Sequence, residues 1–497
     1  MSFAAAHPSR RRPSPAARPQ RAPADPRERL LFVLSGVLLS VAFITGGSSQ
    51  ESGWGVMIAE LLALVVLLFV LSRREWRARL ATARWGVVVA CLIVAIPLLQ
   101  LLPIPAWLWQ WPSPRAALQH DLAAGGVTGI THHWSLSPAT TERDLFMLLP
   151  GFALCMSALA LPREAWRRLL WWFIALVAFS VVLAFGQLGA PQDSFLNPVP
   201  QYAPALAGVF ANRNHQACAL AMGLVLALTL LFDARSRMRR GEATHASVLA
   251  CGILAALFAA ILPLVGSRAG VIIAIVGAAA ALLANGAWSP RRWHEQRAAR
   301  WLSALALAAL ALGVYGAFAW MQQDVDVAGS RWQMAGAAAR LAGASLPLGG
   351  GAGSFVRMFE QFTQGALMHQ GYINAAHNDY IQWWYAGGVL AIAAIIAAAA
   401  ALIVATLRLL KLQRESRSRM LGMAALLAIL MPVLHSTVDY PLRTPALMTA
   451  FGMLAGIAVA AGVRAKQHHG NPVAAPAAPT VGATEAATTK PRDHAFP

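Results

Sequence analysis

The chain has 497 residues, of which 58% are hydrophobic and only 12% are charged, whereas a soluble domain carries about 25% charged residues. This composition excludes an ordinary soluble protein and indicates a membrane protein. The formal net charge of +19 would suit a nucleic-acid partner, but the arginines stand at the amino terminus and in short loops between apolar runs. That placement is typical of membrane-protein loops, so we exclude nucleic acid and expect a lipid bilayer as partner.

Both termini differ in composition from the rest of the chain. Residues 1–29 are rich in Pro, Ala and Arg, with Arg10–Arg12 at their core, and we predict a disordered basic cytoplasmic arm. No small-residue cleavage site clearly follows the apolar run that starts at Leu30, which indicates an anchor rather than a cleaved signal peptide. Residues 464–497 lead into an Ala-, Pro- and Thr-rich end and are predicted to form a disordered cytoplasmic tail.

Apolar runs long enough to cross about 30 Å of hydrocarbon as helices recur through residues 30–463. A helix satisfies its own backbone hydrogen bonds in lipid, so helical spans are expected. We predict an all-α polytopic membrane protein with about twelve transmembrane helices. The predicted spans are 30–45, 54–71, 85–102, 145–161, 168–188, 208–232, 246–264, 267–287, 302–320, 383–408, 419–435 and 445–463.

Basic residues concentrate in every second loop, after the even-numbered spans. Because cytoplasmic loops carry the excess of Lys and Arg, this pattern places both termini in the cytoplasm. The longer segments of about 103–144, 189–207 and 321–382 then face the opposite side of the membrane.

A few arginines on that opposite side need a reason, because charge beside the membrane is costly. Arg268 lies in the turn Gly266–Gly270 between two apolar spans, where it either snorkels at the interface or grips a lipid-linked phosphate. Arg331 starts the segment 331–343, which predicts a helix in or near the interface. We expect Arg340, about two and a half turns later, near the same face as Arg331.

His377 stands at the mouth of the tenth predicted span and is followed by Asn378, Asp379 and Tyr380. Neutral imidazole can accept a proton from a sugar hydroxyl near pH 7, so the cluster predicts a general base. The pattern does not favour a metal site, because no second histidine stands four residues on, and no cofactor is expected. The segment Gly349–Gly353 lacks the Gly-Lys-Ser/Thr of a nucleotide-binding loop and is predicted to be a packing turn.

Two further polar clusters lie at span ends on the same side. Asn212 and Arg213 precede a span, where they either cap the helix or contact sugar or pyrophosphate. His435 and Asp439 occur in the sequence His-Ser-Thr-Val-Asp-Tyr-Pro at a span junction. They either fix this loop or line the same cavity as His377.

Five short motifs occur in an order that resembles the O-antigen ligase/polymerase superfamily of bacterial inner membranes. They are Phe-Ala-Asn-Arg-Asn at 210–214, Gly-Ser-Arg-Ala-Gly at 266–270, Pro-Leu-Gly-Gly-Gly at 347–351, His-Asn-Asp-Tyr at 377–380 and His-Ser-Thr-Val-Asp-Tyr-Pro at 435–441. The resemblance covers most of residues 30–463. In the family's ligase pattern the glycine that stands here at Gly388 is followed, after two residues, by Gly, Thr or Tyr, whereas this chain has Ala391.

The resemblance implies a GT-C-like fold with a large periplasmic loop, about 321–382, that carries short helices. It also implies a metal-independent glycosyltransferase that takes a glycan from undecaprenyl diphosphate at the periplasmic face. Arg268 and Arg331 would bind the diphosphate, and His377 would orient or deprotonate the acceptor hydroxyl. Further candidates for substrate binding are Asn212, Arg213, Arg340, Asn378, Tyr380, His435 and Asp439.

The resemblance leaves the acceptor open. A ligase would use lipid A–core, a polymerase of O-antigen or exopolysaccharide would use another lipid-linked glycan, and a protein oligosaccharyltransferase would use a protein hydroxyl. The non-enzymatic alternative is a polysaccharide transporter or flippase, a class that twelve spans also suit.

Overall fold

The computed structural model describes residues 25–49, 53–111, 113–127, 129–191, 194–197, 206–286, 325–363, 373–413 and 416–470. Across these residues the regular structure is helical, and the only β pairing is an isolated bridge between Pro103 and His133. This confirms the predicted all-α class. The α-helices are α1 Pro26–Thr45, α2 Trp54–Ser72, α3 Arg74–Thr82, α4 Arg84–Gln100, α5 Ala106–Trp109, α6 Ser113–Ala124, α7 Pro138–Ala160, α8 Arg163–Gln187, α9 Arg213–Arg239, α10 His245–Ile261, α11 Arg268–Ala284, α12 Val325–Ala344, α13 Phe355–Thr363, α14 Asp379–Leu410, α15 Arg417–His435 and α16 Pro445–Gly470.

Eight of the described helices are long and apolar enough to cross a membrane, namely α1, α2, α7, α8, α9, α14, α15 and α16. The pair α3 and α4, bent by 94°, makes a ninth if it is counted as one span, and α10 and α11 are shorter apolar helices. The chain is therefore a multi-pass membrane protein. The predicted span 302–320 lies outside the described residues, so the count of twelve stays a prediction.

The bundle has two chemically different ends, and α1 connects them. Near its start, Glu28 Oε1 lies 3.0 Å from Arg79 Nη2, among the loops that hold most of the basic residues. Past its other end, Gly47 O accepts a hydrogen bond from the backbone N–H of Ala211, beside the polar motif that begins α9. We call these the arginine-rich end and the His377 end.

Glycines let the backbones of α7 and α16 approach closely at the centre of the bundle. A Cβ on Gly452 would lie 2.0 Å from the carbonyl oxygen of Gly151, and one on Gly456 would lie 2.5 Å from that of Cys155. Small residues at such crossings allow the close helix packing that holds membrane bundles together.

The ordered bundle extends slightly beyond the predicted limits of the arm and the tail. Helix α1 begins at Pro26 rather than after residue 29, because the Asp25 side chain caps it by accepting from the Arg27 amide. At the other terminus α16 continues to Gly470, beyond the predicted boundary at 464. The rest of both segments, 1–24 and 471–497, lies outside the described residues.

Helix α14 is broken at Gly388, which has φ 55° and ψ −133°. The Val389 amide donates to Pro347 O across the break. A Cβ at position 388 would lie 2.1 Å from that same carbonyl oxygen, so both the conformation and the space require glycine. The break separates a short helix that begins at Asp379 from the long apolar helix that follows.

The glycine turn at 349–353 fills this break, as the packing interpretation predicted. The amides of Gly350 and Gly351 donate to the carbonyl oxygens of Tyr385 and Ala386, at 2.8 and 2.9 Å. The Ala352 amide is also taken, by the Gln100 side chain. The turn's donors are thus used for packing rather than for a phosphate.

Arg115 fastens the first long loop to the same turn. Its side chain is buried, and its Nη2 donates to Trp134 O at 2.7 Å and to Gly349 O at 2.6 Å. Burial lowers the pKa of the guanidinium to about 10, so it remains charged at neutral pH. Its charge lies 5.5 Å from the ring centroid of Trp109, which adds a cation–π contact.

Ala391, where the chain departs from the ligase pattern, is fully buried in a cluster with Ile96 of α4 and Ala394. A Cβ on the preceding Gly387 would already touch the Ala391 side chain at 2.8 Å. The departure therefore lies in a helix–helix contact rather than among the polar side chains around His377.

We expect Gly388→Ala to lower the stability of the protein by about 3 kcal/mol or more, because a side chain at this φ is strained and collides with Pro347 O. The measurement is thermal unfolding of the purified protein in detergent. Gly343→Ala is the matched control: nothing lies within 4 Å of a Cβ at that position of α12, so it should be neutral or stabilising by up to about 1 kcal/mol. Equal unfolding temperatures for the two variants would contradict this account of the break.

Candidate active site

His377 and Asp439 form a hydrogen-bonded pair at the His377 end. His377 Nδ1 lies 3.2 Å from Asp439 Oδ1, the imidazole is 20% exposed, and the carboxylate is 1% exposed. His377 has φ 47° and is the one non-glycine residue with positive φ among the described residues. Backbone strain of this kind is concentrated at functional sites, where the surrounding structure holds it in place.

Asp439 is held by three chain segments. Its Oδ1 also accepts the Tyr440 amide at 3.0 Å, and its Oδ2 accepts from Asn214 Nδ2 at 2.6 Å. Burial alone would raise the pKa of this carboxyl, but the hydrogen bond from His377 and the neighbouring imidazoles outweigh burial and hold the pKa well below its usual range. Asp439 is therefore ionised at neutral pH.

The charge of Asp439 fixes the tautomer of His377. An ionised carboxylate can only accept hydrogen bonds, so Nδ1 of His377 must carry the proton that it donates. In the neutral imidazole Nε2 is then left with a lone pair. A histidine oriented by a carboxylate through Nδ1 is the arrangement of a general base.

Tyr440 packs between two imidazoles. Its ring lies edge-on to His377 and to His215, with a centroid distance of 5.0 Å in each case. Asn374 Nδ2 contacts the Tyr440 hydroxyl at 3.1 Å, and burial raises the pKa of that hydroxyl. Tyr440 therefore stays neutral and fixes the position of the His377 ring.

His215 and His435 surround the same carboxylate from inside the bundle. Both are buried, and neither ring has a hydrogen-bond partner among the described residues. Both interact electrostatically with Asp439. The prediction that His435 and Asp439 belong to the surroundings of His377 therefore agrees with the geometry.

Asp379, the first residue of α14, holds the loop that contains Asp439 against the start of this helix. Its Oδ2 accepts from the Ser436 hydroxyl at 2.8 Å and from the Leu442 amide at 3.2 Å. Its Oδ1 lies 3.6 Å from Arg443 Nε. Because His377 stands two residues before Asp379, this buried carboxylate determines how the two halves of the His377–Asp439 pair meet.

Arg331 and Arg340 differ in their surroundings. Arg331 is half-buried and interacts electrostatically with His435 and Tyr440. Arg340 is exposed. The expectation that they share a face is wrong, because two and a half turns of an α-helix rotate a side chain to the opposite face.

Arg268 is half-buried at the first position of α11, which Ser267 caps through the Gly270 amide. A Cβ on Gly270 would lie 2.4 Å from the side chain of Ala217. The start of α11 therefore packs on the first turns of α9, at the His377 end. Arg213, at the start of α9, is exposed.

Three predicted substrate-binding residues make structural hydrogen bonds. Asn212 caps α9 and Asn378 caps α14 through their side-chain oxygens. The Tyr380 hydroxyl donates to Val433 O at 2.7 Å. These contacts favour the capping interpretation of Asn212 and give all three side chains a role in positioning the site.

In the described part of the chain, no group of three or more His, Cys, Asp or Glu side chains is arranged to hold a metal ion.

The prediction from sequence did not select Asn214, Tyr440 or Asp379 as site residues. All three stand inside motifs that it had singled out, next to residues that it did select. Their polar side chains, each inside a motif, were the signal that could have identified them. The sequence does not show which motifs meet, because the partners are distant in the chain: Asn214 and Asp439 are 225 positions apart.

Part of the chain is similar to a known family. Residues 253–396 match the family model described as O-Antigen ligase. The matched segment includes Arg268, Arg331 and His377, whereas Asn214 and Asp439 lie outside it. The match supports an enzyme of the ligase or polymerase type, and no curated protein matches the chain.

We expect Asp379→Ala to destabilise the protein by about 3 kcal/mol or more, because it removes two hydrogen bonds and takes the closest carboxylate away from half-buried Arg443. Ser436→Ala removes only one of these bonds and should cost about 1 kcal/mol. Both costs can be read from thermal unfolding in detergent. Similar losses for the two variants would argue against the anchoring role of Asp379.

Proposed function

We propose, from the match of residues 253–396 to the O-antigen ligase family model, that the chain is an inner-membrane glycosyltransferase that moves a glycan from undecaprenyl diphosphate to an acceptor hydroxyl at the periplasmic face. The observation that carries this proposal is the His377–Asp439 pair. It provides an oriented base at one end of a membrane bundle, beside half-buried arginines.

The charge distribution supports a periplasmic site. Basic residues follow the even-numbered predicted spans and thus collect at the arginine-rich end. By the positive-inside rule this end is cytoplasmic. The His377 end then faces the periplasm, where a flipped lipid-linked glycan is present and nucleotide sugars are scarce.

The reaction is a displacement at the anomeric carbon of the donor sugar. The acceptor oxygen forms a bond to this carbon while the bond from the carbon to the diphosphate oxygen breaks. His377 Nε2 takes the hydroxyl proton, and the resulting imidazolium is stabilised by Asp439. The electron pair of the broken bond leaves with undecaprenyl diphosphate.

Arginines stabilise the charge that develops on the leaving group. Arg331 is close enough to His435 and Tyr440 to interact with them electrostatically, which places it beside the base. Arg268 begins α11 at the same end of the bundle. Guanidinium groups suit this role because they stay charged and donate paired hydrogen bonds to phosphate oxygens.

The proposal is tested by glycan transfer in vitro with purified protein and an undecaprenyl-diphosphate oligosaccharide, with and without lipid A–core. Product on lipid A–core identifies a ligase, and a ladder of longer lipid-linked chains identifies a polymerase. Transfer should persist in EDTA, since the mechanism assigns no step to a metal. Absence of product from folded protein with either acceptor would favour a protein acceptor or a flippase.

In this assay His377→Ala should reduce kcat by about 10²–10⁴-fold, the usual contribution of a general base. Asp439→Asn should also reduce kcat strongly with little change in KM, because an amide can donate to Nδ1 and favour the wrong tautomer. His120→Ala is the control, since His120 is 86% exposed on α6. Wild-type turnover in Asp439→Asn would remove the carboxylate from the mechanism.

Arg331→Lys and Arg268→Lys should each reduce kcat/KM by roughly 10–100-fold, because lysine keeps the charge but loses the paired hydrogen bonds. Arg340→Lys on the exposed face of α12 should stay close to wild type. The same assay measures all three variants. If Arg340→Lys reduced kcat/KM as much as Arg331→Lys, the proposed contact with the diphosphate would not be specific to the face of α12 near the base.

A further inference from the structure

A cavity lies at the arginine-rich end of the bundle, away from His377. Its volume is about 360 Å³, and it is formed by α8, α9 and the start of α10. Its lining includes Arg167, Trp171, Leu230, Asp233, Arg237 and Ala250. The mechanism proposed above uses none of them.

The cavity holds an arranged cationic group. Asp233 is 5% exposed, and its Oδ2 lies 3.0 Å from Arg167 Nη2 and 4.0 Å from Arg237 Nη1. Arg237 Nε also lies 4.0 Å from Glu242 Oε2, and Glu242 pairs with Arg240 and Arg417 as well. Four guanidiniums therefore share two carboxylates, which leaves a net positive charge around the cavity. Arg167 Nε is buried and has no hydrogen-bond partner among the described residues, so a donor remains for an anionic group.

Apart from Ser247, the rest of the cavity lining is apolar. It includes Leu230 and Ala250 beside Trp171. Leu249, which precedes the lining residue Ala250 in α10, is 63% exposed, as expected for a helix surface that faces lipid. A polar rim above an apolar wall at the edge of the bundle matches a phospholipid better than a free phosphate ion.

We propose that this cavity binds the phosphate diester of an anionic glycerophospholipid of the adjacent leaflet. Arg167 and Arg237 contact the headgroup phosphate, Asp233 orients their guanidiniums, and the first part of an acyl chain lies along Leu230 and Ala250. Basic pockets between membrane helices bind anionic headgroups in this way. The site does not depend on the glycosyltransferase reaction.

The test is thermal unfolding of the full-length purified protein in an uncharged detergent, with added phosphatidylglycerol, phosphatidylcholine or inorganic phosphate. Phosphatidylglycerol should raise the unfolding temperature by about 3–5 °C, because it binds the folded state selectively. Phosphatidylcholine and inorganic phosphate should give little shift. An equal shift with phosphatidylcholine would overturn the proposal, and an equal shift with inorganic phosphate would show a site for the free ion instead.

Variants separate this cavity from the general basic surface. Arg167→Gln should abolish most of the shift with phosphatidylglycerol, while Arg235→Gln, at an exposed position of the same turn of α9 as Asp233, should keep it. Because Arg167→Gln leaves Asp233 with a weaker partner, the double variant Arg167→Gln/Asp233→Asn provides a charge-balanced test if the single variant does not fold. A full shift in the double variant would overturn the proposal.

Discussion

The arrangement of the candidate site depends on one buried carboxylate. Asp439 accepts hydrogen bonds from His377, from Asn214 at the start of α9 and from the backbone N–H of Tyr440. It therefore joins segments that approach from different parts of the bundle. Burying a carboxylate is costly unless its oxygens accept hydrogen bonds, and here both do. The same bonds that offset burial also depress its pKa. The contribution of this ionised group to stability is therefore present above the usual pKa of aspartate and is lost only as pH falls through its folded value.

The position of His377 depends in turn on the break in α14. A continuous helix would carry its first residues along the axis of the long apolar helix, whereas the conformation of Gly388 ends one helical segment and starts another. The glycine turn replaces the hydrogen bonds that the break would otherwise leave unmade, and Arg115 ties this turn to the first long loop. The helical segment that follows His377, the proposed base, is thus held by the glycine turn. The Gly388 break and the turn at 349–353 together form one contact.

The sequence contained most of the fold but only part of the site. The lengths of apolar runs located the helices because lipid requires each span to satisfy its own backbone. The sequence also indicates helix caps, since Asn212 and Asn378 directly precede helices and asparagine is a favoured N-cap residue. The sequence did not show which polar motifs meet, because the partners of Asp439 are distant in the chain and no periodicity relates them. The interpretation of Arg340 failed for a simpler reason: half a turn separates its face from that of Arg331.

The segment that matches the ligase family contains the proposed base and both cations, but it ends at residue 396, before Asp439. A histidine alone can present either ring nitrogen to an acceptor, and the wrong tautomer has no lone pair in the required place. In the proposed mechanism, the part of the chain outside the matched segment supplies the fixed negative charge of Asp439, which selects the tautomer and stabilises the imidazolium. Because Asp379 anchors the same loop to the helix that follows His377, the matched and unmatched parts of the chain must pack together for the His377–Asp439 pair to form.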